Sequence, residues 1–277
     1  MTADRAPRTS GMVSLVGAGP GPADLLTLRA VDRLRCAEVL VHDRLIEPEV
    51  LQVAPAQARQ IYVGKAAGRH AMPQRQIHSV LIEHARAGRR VVRLKGGDPL
   101  LFGRGGEETQ ALRQAGVAFE VVPGISAANG CAATAGIPLT HRDLAHSCSF
   151  LPGHLADEQQ SLDWAALARP GQTRVFYMGV ARLAFIARRL MGHGLPRETP
   201  AAIVYDGTRP RQAVRACPLG ELVRVTTVPE VRPGLLLIGE TVALSPHFRT
   251  TAAAAPPSRR SLNKEKTEHA DRNPAPR

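Results

Sequence analysis

Short apolar runs alternate with amphipathic stripes along the first half of this chain, and each change of period marks a predicted element. MVSLVGAG (12–19) reads as a strand, since a buried strand of a parallel sheet is a nearly continuous apolar run. After it, Leu25, Leu26, Leu28, Val31 and Leu34 recur at helical spacing and predict one apolar helix face. EVLVHD (38–43) and RQIYVG (59–64) read as the second and third strands. PQRQIHSVLIEHARAG (73–88) predicts a helix that opens at Pro73, turns Ile77, Val80 and Leu81 inward and stops at Gly88. RRVVRLKG (89–96) and AFEVVPG (118–124) are further strands, with a helix over EETQALRQAG (107–116) between them. ISAANGCAATAG (125–136) predicts a short helix capped by Ser126. Strands alternating with helices imply an α/β fold with a mainly parallel sheet covered on both faces.

A second set of elements follows. CSFLPG, TRVFYMG, PAAIVYDG, RQAVRA and LLLIGETVAL are strand-like, with helices predicted near 161–168 and 181–191. The expected organisation is a disordered tail over 1–10, an N-terminal α/β domain over 11–140 and a C-terminal α/β domain over 141–245. A disordered basic tail over 246–277 completes it, because TTAAAAPPSRRSLNKEKTEHADRNPAPR has little to bury.

Composition changes this picture only a little. A chain of 277 residues with 44% apolar and 22% charged residues belongs among globular proteins with a proper core. No apolar stretch reaches bilayer-spanning length, and MTADRAPRTS lacks the hydrophobic core of a secretory signal. A cytoplasmic protein without membrane contact is expected. Cys36, Cys131, Cys148 and Cys217 are scattered without a C-x-x-C pair, so they are read as buried small residues, not as a metal site or disulfide framework. The net charge of +12 is partly carried by Arg259, Arg260, Lys264, Lys266, Arg272 and Arg277 in the tail. Nucleic acid is one partner for such a surface, but aromatic residues for base stacking are scarce. A small polyanion fits about as well.

Two glycine-rich turns carry the candidate chemistry. Gly17-Ala18-Gly19 follows the first strand and Asp43 ends the second, as in a dinucleotide site. The spacing fails, because Pro22 stands where G-x-G-x-x-G needs glycine and Pro20 removes an amide. LKGGDPLLFGRGGEE (94–108) holds five glycines, an Asp-Pro and Arg104 directly after a strand. That is the carboxyl side where open α/β sheets bind ligands. Gly96 and Gly97 permit close backbone approach and Asp98 supplies an acceptor, while Lys95 precedes the glycines instead of following them as in a phosphate loop. Carbonyls beside a carboxylate suit a cationic or hydroxyl-rich ligand better than a phosphate.

GAGPG, VHDRL, IYVGK, VRLKGGDPLLFGRGGEE, VVPGISAANG, GIPLTHRDLA, and FYMG followed by DGTRPRQ come in an order that resembles the uroporphyrinogen-III C-methyltransferases of the tetrapyrrole methylase superfamily. The resemblance covers roughly residues 12–245. It implies two α/β domains with the active site in the cleft between them, and a homodimer. It also implies transfer of two methyl groups from S-adenosylmethionine to uroporphyrinogen III, giving precorrin-2 and S-adenosylhomocysteine. Siroheme, cobalamin and haem d1 all branch from that product.

Carried over position by position, the resemblance sets the methyl donor against Pro20, Gly96, Gly97, Asp98, Leu101, Ser126, Ala127, Met178 and Gly207. Glycines at strand ends, a carboxylate and a hydroxyl at a helix start agree with the reading of the residues themselves; a methionine after VFY is more often core packing. Asp43 and Lys65 match the proton acceptor and proton donor of the family. Without the resemblance both read as solvated charges. The substrate bears eight carboxylates, and guanidinium grips carboxylate with paired charge-assisted hydrogen bonds. Arg104 and Arg142 are therefore substrate candidates. Glu107 either meets pyrrole N–H groups or merely favours the start of its helix.

The chain departs from the family pattern at Pro22 in place of an acid, at Leu144 in place of a tyrosine and at Pro152 before Gly153-His154. The acid usual before Gly-Thr is displaced by Asp206. Competing readings are a relative acting on another corrin intermediate, an RNA ribose or a modified histidine, a polyanion-binding module without catalysis, and a dinucleotide oxidoreductase.

Overall fold

The computed structural model describes residues 11–64, 72–153, 162–225 and 232–249. Two five-stranded sheets organise them. The first is built from β1 (Met12–Gly17), β2 (Val39–His42), β3 (Arg59–Tyr62), β4 (Arg90–Lys95) and β5 (Ala118–Val122), in the order β3-β2-β4-β1-β5. Every pairing in it is parallel, so all five carboxyl ends open on one edge. Helices α1 (Leu28–Arg35), α2 (Pro48–Leu51), α3 (Gln74–Arg86) and α4 (Gly105–Gln114) make the crossovers.

The apolar pattern of the strands becomes two cores. Leu40, Val92, Leu94 and Val16 pack with Ala30, Leu34 and Val50 on one face, and Val13, Leu15, Val41 and Val91 pack with Ile77, Leu81 and Leu112 on the other. In α3, Ile77 and Leu81 are buried as expected and Val80 is only partly so; Gly88 ends the segment at φ +82°. The stripe expected after β1 is corrected. Residues 23–25 form a separate 3₁₀ turn, α1 starts only after Thr27, and Leu28 is 86% exposed. Thr27 Oγ1 accepts from Ala30 N at 3.1 Å, and a local cap of that kind decides where the helix begins.

The second sheet has β6 (Ser147–Pro152), β7 (Gln172–Tyr177), β10 (Gly234–Ile238), β8 (Pro200–Tyr205) and β9 (Ala213–Pro218) in that order. Only β6 and β7 are parallel; the other neighbours run antiparallel, so the parallel sheet expected for the first half has no counterpart in the second. Its helices are α6 (Trp164–Ala168), α7 (Leu183–Gly192) and α8 (Leu219–Val225), the last of which the strand and helix pattern did not announce. LLLIGETVAL divides into β10 and a 3₁₀ turn over Glu240–Leu244, because Gly239 turns the chain at φ +153°.

Helix α5 (Ala127–Thr134) follows the first sheet in sequence but buries Ala128, Cys131 and Ala132 against Val175, Ala202 and Val204 of the second. Its packing partners thus lie on the far side of the 140/141 division expected from the sequence. Cys131 and Cys217 are buried and Cys148 partly so, but Cys36 is exposed, against the expectation for all four. Among the described residues no helix is long and apolar enough to cross a membrane, and no group of His, Cys, Asp and Glu is arranged to hold a metal ion.

Candidate active site

Three strand ends of the first sheet are fused at glycines. Gly97 N donates to Gly19 O at 2.7 Å, and Gly19 N returns a bond to Gly97 O at 3.2 Å. A methyl group on Gly17 would meet Gly124 N at 2.5 Å and Gly97 O at 2.7 Å, so the turns after β1, β4 and β5 touch backbone to backbone. That is why the sequence spends glycines there. Gly97 itself sits at φ +68°, with Ala127 N and Ser126 Cα beside the place a Cβ would occupy. At Gly96 the same place has only Leu45 near it, leaving room for a ligand to approach the main chain.

The remaining donor-site candidates close round this junction. Asp98 Oδ1 accepts from Leu100 N at 2.9 Å and Oδ2 from Gly124 N at 3.2 Å, so its carboxylate holds the β4 and β5 loops together and each oxygen keeps a lone pair. Ser126 caps α5 by accepting from Asn129 N at 3.2 Å, and its hydroxyl donates to Asn129 Oδ1 at 2.6 Å. Pro20 packs where a side chain on Gly130 would have to go, with Thr208 on the other side. Gly207 lies against Cys131, and any Cβ there would collide with Cys131 Sγ. Pro20, Gly97, Asp98, Ser126, Ala127 and Gly207 are thereby brought to one junction between the sheets. Leu101 is partly buried in the same β4 loop, and Met178, after β7, is 59% exposed, which removes it from the core.

Backbone strain marks the same region. Among the described residues the five non-glycine residues with left-handed backbone are Phe102, Arg104, Met178, Asp206 and Thr208, all in loops at the ends of β4, β7 and β8. Each such conformation costs on the order of 1 kcal/mol or more and tends to persist where the surroundings enforce it. The Phe102 ring packs on Tyr177 with centroids 4.7 Å apart, and Tyr177 Oη accepts from Ala128 N at 3.1 Å. Burial pushes the Tyr177 hydroxyl pKa up.

Asp43 sits at the end of β2 with its side chain 31% exposed and one oxygen 3.7 Å from Arg93 Nη2. Lys65 lies outside the described residues. Arg104 is exposed and engages Glu107 through one edge of its guanidinium, Nε to Oε1 at 2.8 Å and Nη2 to Oε2 at 2.7 Å. This pair raises the Arg104 pKa and lowers that of Glu107. Arg142 lies on a turn closed by His141 and Ala145, beside an open hollow lined by Thr140, His141 and His146.

Arg93, Lys95 and Glu108 were missed from sequence. Arg93 Nε donates to Glu108 Oε1 at 3.1 Å, Lys95 Nζ to the same oxygen at 3.1 Å, and all three side chains are buried. Desolvation and then the Arg93 charge pull the Lys95 pKa down. A signal was available: β4 is the central strand, where a parallel sheet wants continuous apolar residues, yet Arg93 and Lys95 alternate onto one face.

The profile of the family described as Tetrapyrrole (Corrin/Porphyrin) Methylases matches residues 12–223. The chain belongs to that family. It is 50% identical over 253 residues to a siroheme synthase of Edwardsiella ictaluri, covering 90% of this chain and 54% of that protein. It is 51% identical over 238 residues to a siroheme synthase of Nitrosomonas eutropha, covering 84% and 49%. The chain thus spans about half the length of the curated relatives it matches. Among solved structures, a uroporphyrin-III C-methyltransferase from Thermus thermophilus complexed with S-adenosylhomocysteine superposes with a TM-score of 0.73 at 40% identity, over 84% of this chain and 100% of that one. The two-sheet α/β architecture is the tetrapyrrole methylase fold.

Proposed function

We propose that this protein is an S-adenosylmethionine-dependent C-methyltransferase that methylates uroporphyrinogen III twice to give precorrin-2. The observation that carries the reading is the glycine junction: three strand-end turns and the start of α5 converge without side chains between them, in the fold of a methyltransferase relative solved with S-adenosylhomocysteine. The residues fit such a ligand. Gly96 leaves the main chain approachable, Asp98 retains acceptor capacity, and Thr208 Oγ1 is buried beside Gly207 with no hydrogen-bond partner among the described residues. Pro20, Gly96, Gly97, Asp98, Leu101, Ser126, Ala127, Met178 and Gly207 would hold it.

When bound, the donor supplies an electrophilic methyl on sulfonium, and most of the protein's contribution to an in-line transfer is alignment. A ring carbon that gains methyl leaves the macrocycle cationic, so a proton must leave the macrocycle from another position. Asp43, exposed enough to meet the macrocycle and held by Arg93, accepts it; Lys65 is the proton donor in the same reading. Glu107 occupies the Nε side of Arg104 and leaves Nη1 with the other edge free for a substrate carboxylate. Glu107 is then a group that orients Arg104. Arg142 supplies a second guanidinium to the acidic rim. The homodimer, the cytoplasmic location and the independence from nucleic acid and membrane belong to the same proposal and rest on family resemblance and composition.

Incubation with methyl-labelled S-adenosylmethionine and either uroporphyrinogen III or RNA tests this. The expected result is two labelled methyl groups in a red-shifted, fluorescent tetrapyrrole and none in RNA. Labelled RNA with unmodified tetrapyrrole would overturn it.

A further inference from the structure

The loop that carries Asp43 is gripped from the opposite sheet. Arg209 follows β8, two residues after Gly207, and its side chain is only 10% exposed. Its Nε lies 2.6 Å from Glu47 Oε1 as a close ion pair, and its Nη2 donates to Leu45 O at 3.0 Å. Leu45 N in turn donates to Asp43 Oδ1 at 3.2 Å. A contact chain thus runs from the Gly207 turn through Arg209 and Leu45 to the Asp43 carboxylate.

Arg209 is itself anchored. Asp206, buried and left-handed at φ +43°, takes Arg232 at 2.7 Å, Arg211 at 3.3 Å and Arg209 at 3.7 Å. Arg232 also lies over the Tyr205 ring at 5.6 Å and donates to Arg211 O at 2.8 Å. Three guanidinium groups around one carboxylate leave an excess of positive charge, which Glu47 from the other sheet reduces. The Arg209 stem passes so close to Gly21 that a Cβ there would meet Arg209 Cγ at 3.3 Å and Thr208 Oγ1 at 2.5 Å. The turn after β1 is tied to the same region, since Ala23 N donates to Glu49 Oε1 at 2.9 Å. Segments 20–23, 43–49 and 206–209 therefore meet around the Arg209 side chain.

We propose that Arg209 is a positioning residue that clasps the Asp43 loop of the first sheet to the Gly207 turn of the second, so that the donor side of the cleft sets where Asp43 stands. Its kinetic consequence rests on the reading of Asp43 as proton acceptor. Lysine cannot replace it fully, because a single ammonium lacks the fork that reaches Leu45 O and Glu47 together.

Amide hydrogen exchange and steady-state kinetics on the full chain test the clasp, with Arg209→Ala, Arg209→Lys and Glu47→Gln. In Arg209→Ala the amides of residues 44–47 should exchange at least ~10-fold faster while those of β1 and β4 keep wild-type rates. The kcat should fall roughly 10-fold or more, S-adenosylhomocysteine affinity should stay within about threefold, and Arg209→Lys should recover part of the loss. Glu47→Gln, which keeps the Leu45 contact, should fall between wild type and Arg209→Ala. Unchanged exchange at 44–47, acceleration spread evenly over all strands, or an unchanged kcat where Asp43→Asn is itself slowed would overturn the clasp. If Asp43→Asn turns over at the wild-type rate while Arg209→Ala still releases residues 44–47, the clasp is supported and the role given to Asp43 falls.

Discussion

Asp43 lies 3.7 Å from Nη2 of Arg93, whose neighbouring Nε donates to the fully buried Glu108 at 3.1 Å. The proposed base therefore stands at the mouth of an internal charge network that continues to Lys95 and to Gln74 Nε2, which donates to Glu108 at 3.2 Å. Glu108 is the counter-charge for two buried cations. Glu108→Gln leaves Arg93 and Lys95 facing each other without it, and breaking a buried pair in this way costs roughly 3–5 kcal/mol. Urea denaturation at neutral pH measures the loss. A change below about 1 kcal/mol would mean that water already compensates the cluster.

Asp43→Asn keeps the shape of the side chain and removes its capacity as a base. Turnover should fall on the order of 10²-fold or more, while donor and substrate binding stay close to wild type. Single-turnover kinetics beside calorimetry separate the two. Wild-type turnover removes Asp43 from the mechanism.

Arg104→Ala should weaken substrate and spare the methyl donor. A charge-assisted contact is worth about 1.5–3 kcal/mol, so KM for the tetrapyrrole should rise roughly 10- to 100-fold. S-adenosylhomocysteine affinity should hold. Equal loss of both would show that Arg104 belongs to the donor side.

Glu120 gives a prediction in pH. Its carboxylate takes the Arg33 guanidinium and, at 2.8 Å, the Ser14 hydroxyl, and these hydrogen bonds, Arg33 first, hold its pKa below the ordinary carboxylate value. A lowered folded-state pKa contributes stability that is complete above the unfolded value near 4.3 and is lost as pH falls through the lowered one. Because Arg33 is partly solvated, the contribution is about 1 kcal/mol at most. The stability difference between wild type and Glu120→Gln should therefore be largest at neutral pH and shrink toward pH ~3. A difference that grows on acidification contradicts the sign.

What could be read from the chain was local. Ser126 caps α5 because a hydroxyl before a helix serves its orphan amides wherever the helix packs, and Gly96 and Gly97 announced close backbone approach without saying to what. What was not legible depended mostly on the other sheet. The small, apolar α5 fits either side by pattern, and only the second sheet shows which side it takes. Leu28 matched a helical stripe, but the cap at Thr27 starts the helix at that residue and turns it to solvent. The antiparallel pairings of β8, β9 and β10 leave the same apolar runs as parallel ones. Arg209 looked like one basic residue in DGTRPRQ; its partners, Leu45 and Glu47, are more than a hundred and sixty positions away.

The most direct measurement is a crystal structure of this chain with S-adenosylhomocysteine. The account predicts the ligand between the two sheets, along Gly96–Asp98, against Ser126 and Ala127 and reaching Gly207, with its sulfur turned toward Asp43 and Arg104. The ligand bound on any other surface, or absent from that cleft at saturating concentration, would contradict it.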